Sequence, residues 1–557
     1  MLKPIPSLKL KNNIQMKKIN YKEAIVYEIH PQSFYDTNND GIGDLQGIIK
    51  KLDYLKKLGV NFLWLNPIYL SPKKDNGYDV SDYKKIDPMF GSMTDFNNLV
   101  KEAKKRNIYI MMDMIFNHCS TEHEWFKKAL INKKYQNRFI FVENKNKLPN
   151  NWKSKFGGSA WEYNKTLDKY YLHLFDKTQI DLNWKNKALR NDIYEIINYW
   201  LDKDVKGLRF DVINLISKPK TFKDDLIGDG RKYYTDRYLV HKYLKEMASK
   251  TYSLKNDVIT VGELSSTSLK QAILYTKKES KELDMVFMFH HLKVDYLNND
   301  KWQIKKYDPK ELVKVLKTQQ IAFNKHNAWC ANFLNNHDQP RAISRFGDYK
   351  NYYYQSATSL ASVVLLLKGT PYLYQGEEFG MLNNNYSNIN QLKDVESINY
   401  YRILKNKGLK KEEILNIISN RSRDNARTVM QWDDSLYAGF SSHKPWIDVN
   451  NNYLDINFKK DYSKPQSIFK AYQKLIRLRK KHLAFSYGDI KFININANVL
   501  SFYRTYLNEK YLVIINLSDL NINSNKLNQF LNLKVIFNNY KSFKQIKPYQ
   551  VVVLKCN

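Results

Sequence analysis

This chain is poor in cysteine, glycine, proline and acidic residues. Cys119, Cys330 and Cys556 are the only cysteines among 557 residues, which excludes a disulfide framework. No Cys-x-x-Cys spacing is present to bind zinc. With 19 Gly and 14 Pro the chain is neither collagen-like nor of low complexity. No apolar run reaches the ~18 residues of a membrane-spanning helix. Residues 1–20 are basic and lack the apolar centre of a secretory signal, so a cytoplasmic location is expected. Asp and Glu number 56 against 90 Lys and Arg, a formal net charge of +34. Such an excess suits nucleic acid, an anionic membrane surface or a small anionic substrate. The lysines are spread along the whole chain, and no nucleic-acid-binding motif accompanies them. The expectation is therefore no nucleic-acid and no membrane partner, with a small anionic substrate left open.

What the chain does have is aromatic surface and alternation. Tyr (41) and Trp (10) are abundant, as suits contact with sugars. Residues 24–29, 60–65 and 108–113 read as strands, and residues 44–58 and 96–106 between them as helices. Alternation of this kind predicts a parallel α/β fold, and function at many strand ends favours a closed (β/α)8 TIM barrel. Periodicity stops after His118. Residues 119–185 read as a small inserted domain B, and barrel alternation resumes from 186 to 483. The full reading is an N-terminal arm over 1–20, a barrel over 21–118 and 186–483, and an antiparallel β-sandwich over 484–557. Strands are expected to end near Asp211, Glu263, Phe289 and Leu334, with a long insertion at 394–432.

Carboxylates stand at several of these strand ends. Asp211 closes Gly207-Leu208-Arg209-Phe210-Asp211, Glu263 closes Ile259-Thr260-Val261-Gly262-Glu263, and Asp338 follows Asn336-His337. At the C-terminal mouth of a barrel, such acids converge on one site. Paired carboxylates are what glycoside hydrolysis requires. Arg209 and Asp211 share one strand face, so the guanidinium is expected to keep Asp211 ionised as a nucleophile. Glu263 would be the proton donor, its pKa raised by partial burial. A structural ion pair, a helix cap and a loop cap are the respective alternatives for Asp211, Glu263 and Asp338. His118, after Asp113 and Asn117, is a candidate donor to a sugar hydroxyl or a plain core histidine. Asp36, Asn38, Asp40 and Asp44 set oxygens at intervals around Gly41. They resemble the start of a calcium loop, though the Glu of an EF-hand is replaced by Gly47. An Asx-rich turn is the alternative.

These segments together resemble the α-amylase superfamily (glycoside hydrolase family 13), in its oligo-1,6-glucosidase and trehalose-6-phosphate hydrolase branch. The likeness also rests on residues 113–118, Gln179-Ile180-Asp181-Leu182-Asn183, Gly376-Glu377-Glu378, 421–427 and Met430-Gln431-Trp432, and it spans about 21–557. Departures are Glu28, His30, Ile180 and Val429, none of which removes a catalytic group. The resemblance implies a retaining α-glucosidase with Asp211 as nucleophile, Glu263 as acid/base and Asp338 as third acid. It further implies that Arg209, His118 and His337 hold the first glucose, that Asp79 and Arg423 grip its far hydroxyls, and that Phe175 and Trp64 are weaker pocket candidates. No cofactor is implied for catalysis. A structural calcium or magnesium ion is implied at Asp36, Asn38, Asp40, Ile42 and Asp44.

Two segments bear on the substrate within the branch. They are Leu264-Ser265-Ser266-Thr267-Ser268, and residues 289–296 with His290, His291 and Lys293. Oligo-1,6-glucosidases tend to carry an acidic segment at the second place. Cationic side chains there can meet a phosphate that acids would repel. The expected substrate is a small phosphorylated disaccharide, α,α-trehalose 6-phosphate, delivered by a sugar uptake and phosphorylation system. An oligo-1,6-glucosidase, a transglycosylating isomerase and a non-catalytic amylase-like subunit are the rivals. A monomer is expected.

Overall fold

The computed structural model describes residues 19–226 and 228–556, and the N-terminal arm expected over 1–20 lies almost wholly outside them. Eight parallel strands form the central sheet: β1 (Val26–Ile29), β2 (Phe62–Leu65), β3 (Tyr109–Met114), β4 (Gly207–Phe210), β5 (Ile259–Glu263), β6 (Met285–Phe287), β7 (Ala331–Asn332) and β8 (Thr370–Tyr374). Their order is β6-β5-β4-β3-β2-β1-β8-β7. A parallel bridge from Val286 to Cys330 joins β6 to the residue before β7 and closes the barrel. The strands are continuous apolar runs rather than alternating ones because both faces are covered; β1, β2 and β8 are buried throughout.

Local chemistry sets the connecting helices. Met93–Lys105 starts in a capping box made by Ser92 and Asp95. Leu52–Leu58 ends on Gly59, whose φ of +104° is left-handed, as a helix C-terminus favours. Strands β6 and β7 stop at Phe287 and Asn332, each two residues short of expectation. The residues beyond β6 turn at once into a 3₁₀ segment, His290–Lys293.

The third connection carries an inserted unit. Its three-stranded antiparallel sheet has Lys169–Leu172 between Phe141–Glu143 and Trp161–Asn164. His118–Ser120 pairs with Gln179–Asp181 where the unit leaves and rejoins the barrel. The eighth connection contributes helices Val395–Asn406, Lys411–Arg421 and Asp424–Arg427. After helix Ile468–Lys481, the C-terminal residues form one five-stranded antiparallel sheet. Phe502, Val513, Val551 and Val553 join the barrel's core. Leu512, Ile514, Val552 and Leu554 pack under Ile522, Leu527, Phe530 and Ile546. The outer layer is thus loop and short helix rather than a second sheet. Burial on both faces explains why residues 511–515 are apolar without a break. Among the described residues no helix is long and apolar enough to cross a membrane.

Candidate active site

Arg209 is the hub of the barrel mouth. It projects from β4, 1% exposed, and its Nη1 donates to Asp113 Oδ1 at 2.6 Å and Asp211 Oδ1 at 2.7 Å. Its Nη2 donates to Glu263 Oε2. One guanidinium therefore joins acids from the ends of three neighbouring strands. Asp113 also accepts from Tyr78 OH at 2.8 Å and Trp64 Nε1 at 3.2 Å. Trp64 thus lies behind the site, with the Arg209 guanidinium over its ring. The chain turns sharply after Asp211, because Val212 adopts φ +35°. That conformation costs a β-branched residue roughly 1–3 kcal/mol. It leaves Asp211 and Val212 facing one cavity.

The hub corrects one expectation. Burial drives the Asp211 carboxyl well above the ordinary range, and Arg209 lowers it only partly, because Glu263 and Asp113 push it up again. Three carboxylates share one guanidinium, so its charge is divided among them. Asp338 is the opposite case. It accepts from Arg427 Nη2 at 3.0 Å and Arg423 Nη1 at 3.2 Å, and lies 3.1 Å from His337 Nε2. Burial disfavours its charge, but His337, Arg423 and Arg427 hold the carboxyl well below the carboxylate range.

The cavity these groups share has a volume of about 210 Å³ and is lined by Asp211, Glu263, Asp338, His118, Phe175, Tyr78, Asp75 and Arg423, with Phe156 and Phe289 as further walls. His118 lies 5.0 Å, ring to ring, from Phe175. Burial, partly offset by Asp181 and Asp75, pushes His118 down to about 4, so it is a neutral donor or acceptor near pH 7. His337 stands behind the wall, stacked on Tyr78 at 5.1 Å and paired with Glu28 and Asp338. Burial works against its charge, yet Asp338 and Glu28 outweigh it and raise His337 to about 10. Arg209 and His337 therefore position wall residues rather than line the cavity themselves.

A larger cavity, about 840 Å³, opens beside Ile259 and Thr260, at the start of β5. Barrel enzymes build their chemistry at the opposite end, where the acids are.

Asp79 does not reach the cavity. It is fully buried and accepts from Ser71 Oγ and the backbone N–H groups of Lys74 and Asp75. Asp75 takes the expected place, 3.0 Å from Arg423 Nη2. Its other oxygen accepts from Gln179 Nε2 at 3.1 Å. Between the two acids, Asn76 (φ +50°) and Gly77 (φ +101°) are both left-handed and reverse the chain. Composition alone does not show which acid such a turn sends inward. Gln179 Nε2 also lies 3.3 Å from His118 Nε2, so it bridges two residues of the cavity wall, a role its place in the sequence does not show.

The histidines at 290–291 are also placed differently from expectation. His291 is buried, and its Nε2 donates to the Phe333 carbonyl at 2.8 Å. Burial holds it down to about 4, so it is a neutral core residue rather than a phosphate ligand. His290 is also lowered by burial and then by Lys293. Neither lines the cavity.

The loop from Asp36 to Asp44 closes on itself. Asp36 accepts from the N–H groups of Asn38, Asn39 and Gly41 and from Ser441 Oγ. Asp44 accepts from Thr37 and caps the next helix through Gly47 N–H. Asp40 accepts from Asn38 Nδ2 and Ile42 N–H. A carboxylate has about four acceptor positions, and Asp36 has filled them. Among the described residues no three His, Cys, Asp or Glu side chains group to hold a metal ion. The oxygens are of the kind calcium or magnesium takes, but a cation at Asp36 would have to displace loop donors.

The family model for the α-amylase catalytic domain matches residues 28–488. The chain belongs to the α-amylase family. Among similar members of that family is the trehalose-6-phosphate hydrolase of Bacillus subtilis, 47% identical over 501 residues, 89% of each chain. The oligo-1,6-glucosidase of Parageobacillus thermoglucosidasius is 45% identical over 515 residues, 90% of this chain and 91% of that one. The crystal structure of Bacillus licheniformis trehalose-6-phosphate hydrolase superposes with a TM-score of 0.90 at 46% identity, covering 96% of this chain and 99% of the other. The α-amylase family is thereby shown over barrel and inserted unit together, and the C-terminal sheet lies within the structural match.

Proposed function

We propose that this chain is a retaining α-glucoside hydrolase that cleaves α,α-trehalose 6-phosphate to glucose and glucose 6-phosphate. The observation that carries the chemistry is the shared guanidinium, which holds Asp211 and Glu263 together at the cavity wall. Retaining glycosidases need their two carboxyls about 5–5.5 Å apart, closer than inverting ones. The unphosphorylated glucose enters the closed end, toward Asp75, Arg423 and His118. Asp211 attacks its anomeric carbon while Glu263 protonates the bridging oxygen, and glucose 6-phosphate departs. Glu263 then takes a proton from water, whose oxygen attacks the glycosyl–Asp211 ester. Glucose leaves with retained configuration, and both carboxyls return to their starting states. Asp338, held ionised, steadies the positive charge that develops on the ring.

The phosphorylated substrate is supported by the relatives of that activity at 46–47% identity. An oligo-1,6-glucosidase is the second reading, supported by a relative at 45%. Hydrolysis of trehalose 6-phosphate beside trehalose and isomaltose decides between them. The reading includes no cofactor for bond cleavage. It places the chain downstream of a reaction that phosphorylates the disaccharide during uptake, hence in the cytoplasm, as a monomer. A structural calcium or magnesium ion at the Asp36–Asp44 loop would add to the fold rather than to the chemistry, and elemental analysis of the purified protein tests it.

A further inference from the structure

We infer that Lys155, Arg231 and Lys293 form the seat of the phosphate carried by the leaving sugar, with Lys155 as its anchor. The inference deepens the reading above and rests on it. Three separate parts of the chain supply the cations. Lys155 comes from the inserted unit, Arg231 opens the short helix Arg231–Tyr234 beyond β4, and Lys293 ends the 3₁₀ turn beyond β6. Lys155 lines the active cavity beside Glu263 and Phe289. Its Nζ donates to Ser265 Oγ at 3.1 Å, just past the end of β5. Neither Lys155 nor Lys293 makes an ion pair among the described residues, and Arg231 pairs only with Asp229. Lys301, the other lysine at this cavity, is already neutralised by Glu396 at 2.6 Å.

The three cations act on one another. Burial first, then Arg231 and Lys293, lower Lys155 to about 7, with Asp229 and Glu263 opposing in part. Burial and then Arg231 lower Lys293. Gathering like charges in a half-buried place is unfavourable unless an anion completes the group. A phosphate monoester, with a charge of about −1.5 to −2 near neutral pH, is such an anion. The position agrees with the chemistry. Glu263 must face the leaving oxygen, so the departing sugar lies on Glu263's outer side, where Lys155 and Ser265 stand. One consequence is particular to this arrangement. An anion raises the pKa of a lysine beside it, so binding above neutral pH draws a proton onto Lys155.

The test compares kcat/KM for trehalose 6-phosphate with kcat/KM for an aryl α-glucoside, in wild type and in Lys155→Met. The ratio is expected to fall about 10- to 150-fold, the range of one charge-assisted hydrogen bond. Lys155→Arg should recover most of it, and Arg231→Gln and Lys293→Gln should each lower it less. Calorimetry with glucose 6-phosphate at pH 8, in buffers of different ionisation enthalpy, should show proton uptake by wild type and none by Lys155→Met. A wild type that prefers trehalose 6-phosphate, with Lys155→Met keeping the same ratio, overturns the seat and leaves the proposed function standing. A wild type without that preference overturns the proposed function and the seat together. Should Lys155→Met fail to fold, an unchanged ratio in both Arg231→Gln and Lys293→Gln overturns the seat.

Discussion

Asp75 Oδ1 and Arg423 Nη2 meet at 3.0 Å across 348 residues of chain. The pair joins the loop after β2 to the insertion after β8 and closes one end of the cavity. Arg423 is held from the other side by Asp394, 2.8 Å from its Nε, and is spread over Phe156. Its charge is thus oriented before substrate arrives, which is the condition for a rigid sugar-hydroxyl clamp.

Asp75 and Asp79 are separable by mutation. Asp75→Ala is expected to lower kcat/KM by about 10- to 100-fold, from loss of roughly 1.5–3 kcal/mol of charge-assisted bonding, with a modest change in Tm. Asp79→Ala is expected to act mainly on stability, since it leaves buried backbone N–H groups unpaired. Steady-state kinetics and thermal melts of both variants check this. A large kinetic loss in a stable Asp79→Ala would reverse the two roles.

Asp211→Asn should fold and bind sugar while turnover falls to background, because a neutral amide does not attack the anomeric carbon. Glu263→Gln should slow cleavage of the natural substrate by about 10²–10⁴-fold. It should slow the release of nitrophenol from an aryl α-glucoside much less, since that leaving group needs little protonation. Pre-steady-state release of nitrophenol measures the difference. Equal losses on both substrates would remove Glu263 from the role of acid.

Asp113 gives the pH dependence a handle. Its charge helps raise the Asp211 pKa, and its removal also frees Arg209 for Asp211. Both effects lower that pKa. The acid limb of the kcat/KM profile, where Asp211 must lose its proton, is therefore expected to move to lower pH in Asp113→Asn. A stability cost of about 1–3 kcal/mol should accompany it, because the amide keeps one acceptor oxygen where two now serve Arg209, Tyr78 and Trp64. An acid limb that stays in place contradicts the influence of Asp113 on the Asp211 carboxyl.

His337 ties stability to pH on the alkaline side. Its folded pKa, about 10, lies above the ordinary 6.5. The stabilisation is thus complete below about pH 6.5 and is lost as pH rises through 10. Urea unfolding of wild type across that window should show a decline that His337→Asn lacks. Parallel pH profiles for the two proteins would exclude the linkage.

His291→Ala should lower Tm and leave the ratio of trehalose 6-phosphate to aryl glucoside hydrolysis where it was, since the imidazole serves the Phe333 carbonyl. The orphaned carbonyl costs roughly 1–3 kcal/mol. A ratio that collapses in a folded variant would return His291 to phosphate recognition.

The barrel and its acids were legible because contiguous residues encode them. An apolar run marks a strand buried on both faces, and residues at or beyond its C-terminal end face the mouth, where Asp211, Glu263 and Asp338 stand. Arg209 was likewise readable from a two-residue spacing on one strand. Other features were decided only in three dimensions. Asp75 replaced Asp79 because two left-handed residues reverse the loop between them. His291 turned inward because β6 ended early and a 3₁₀ turn followed. The raised Asp211 carboxyl depends on how many charges from distant strands share Arg209 in a buried place, and Lys155 enters through a loop of the inserted unit. Periodicity reports which face of an element is covered. It carries no information on which distant charge lies across a cavity, because that is set by chain reversal and burial, and these act between residues far apart in the sequence.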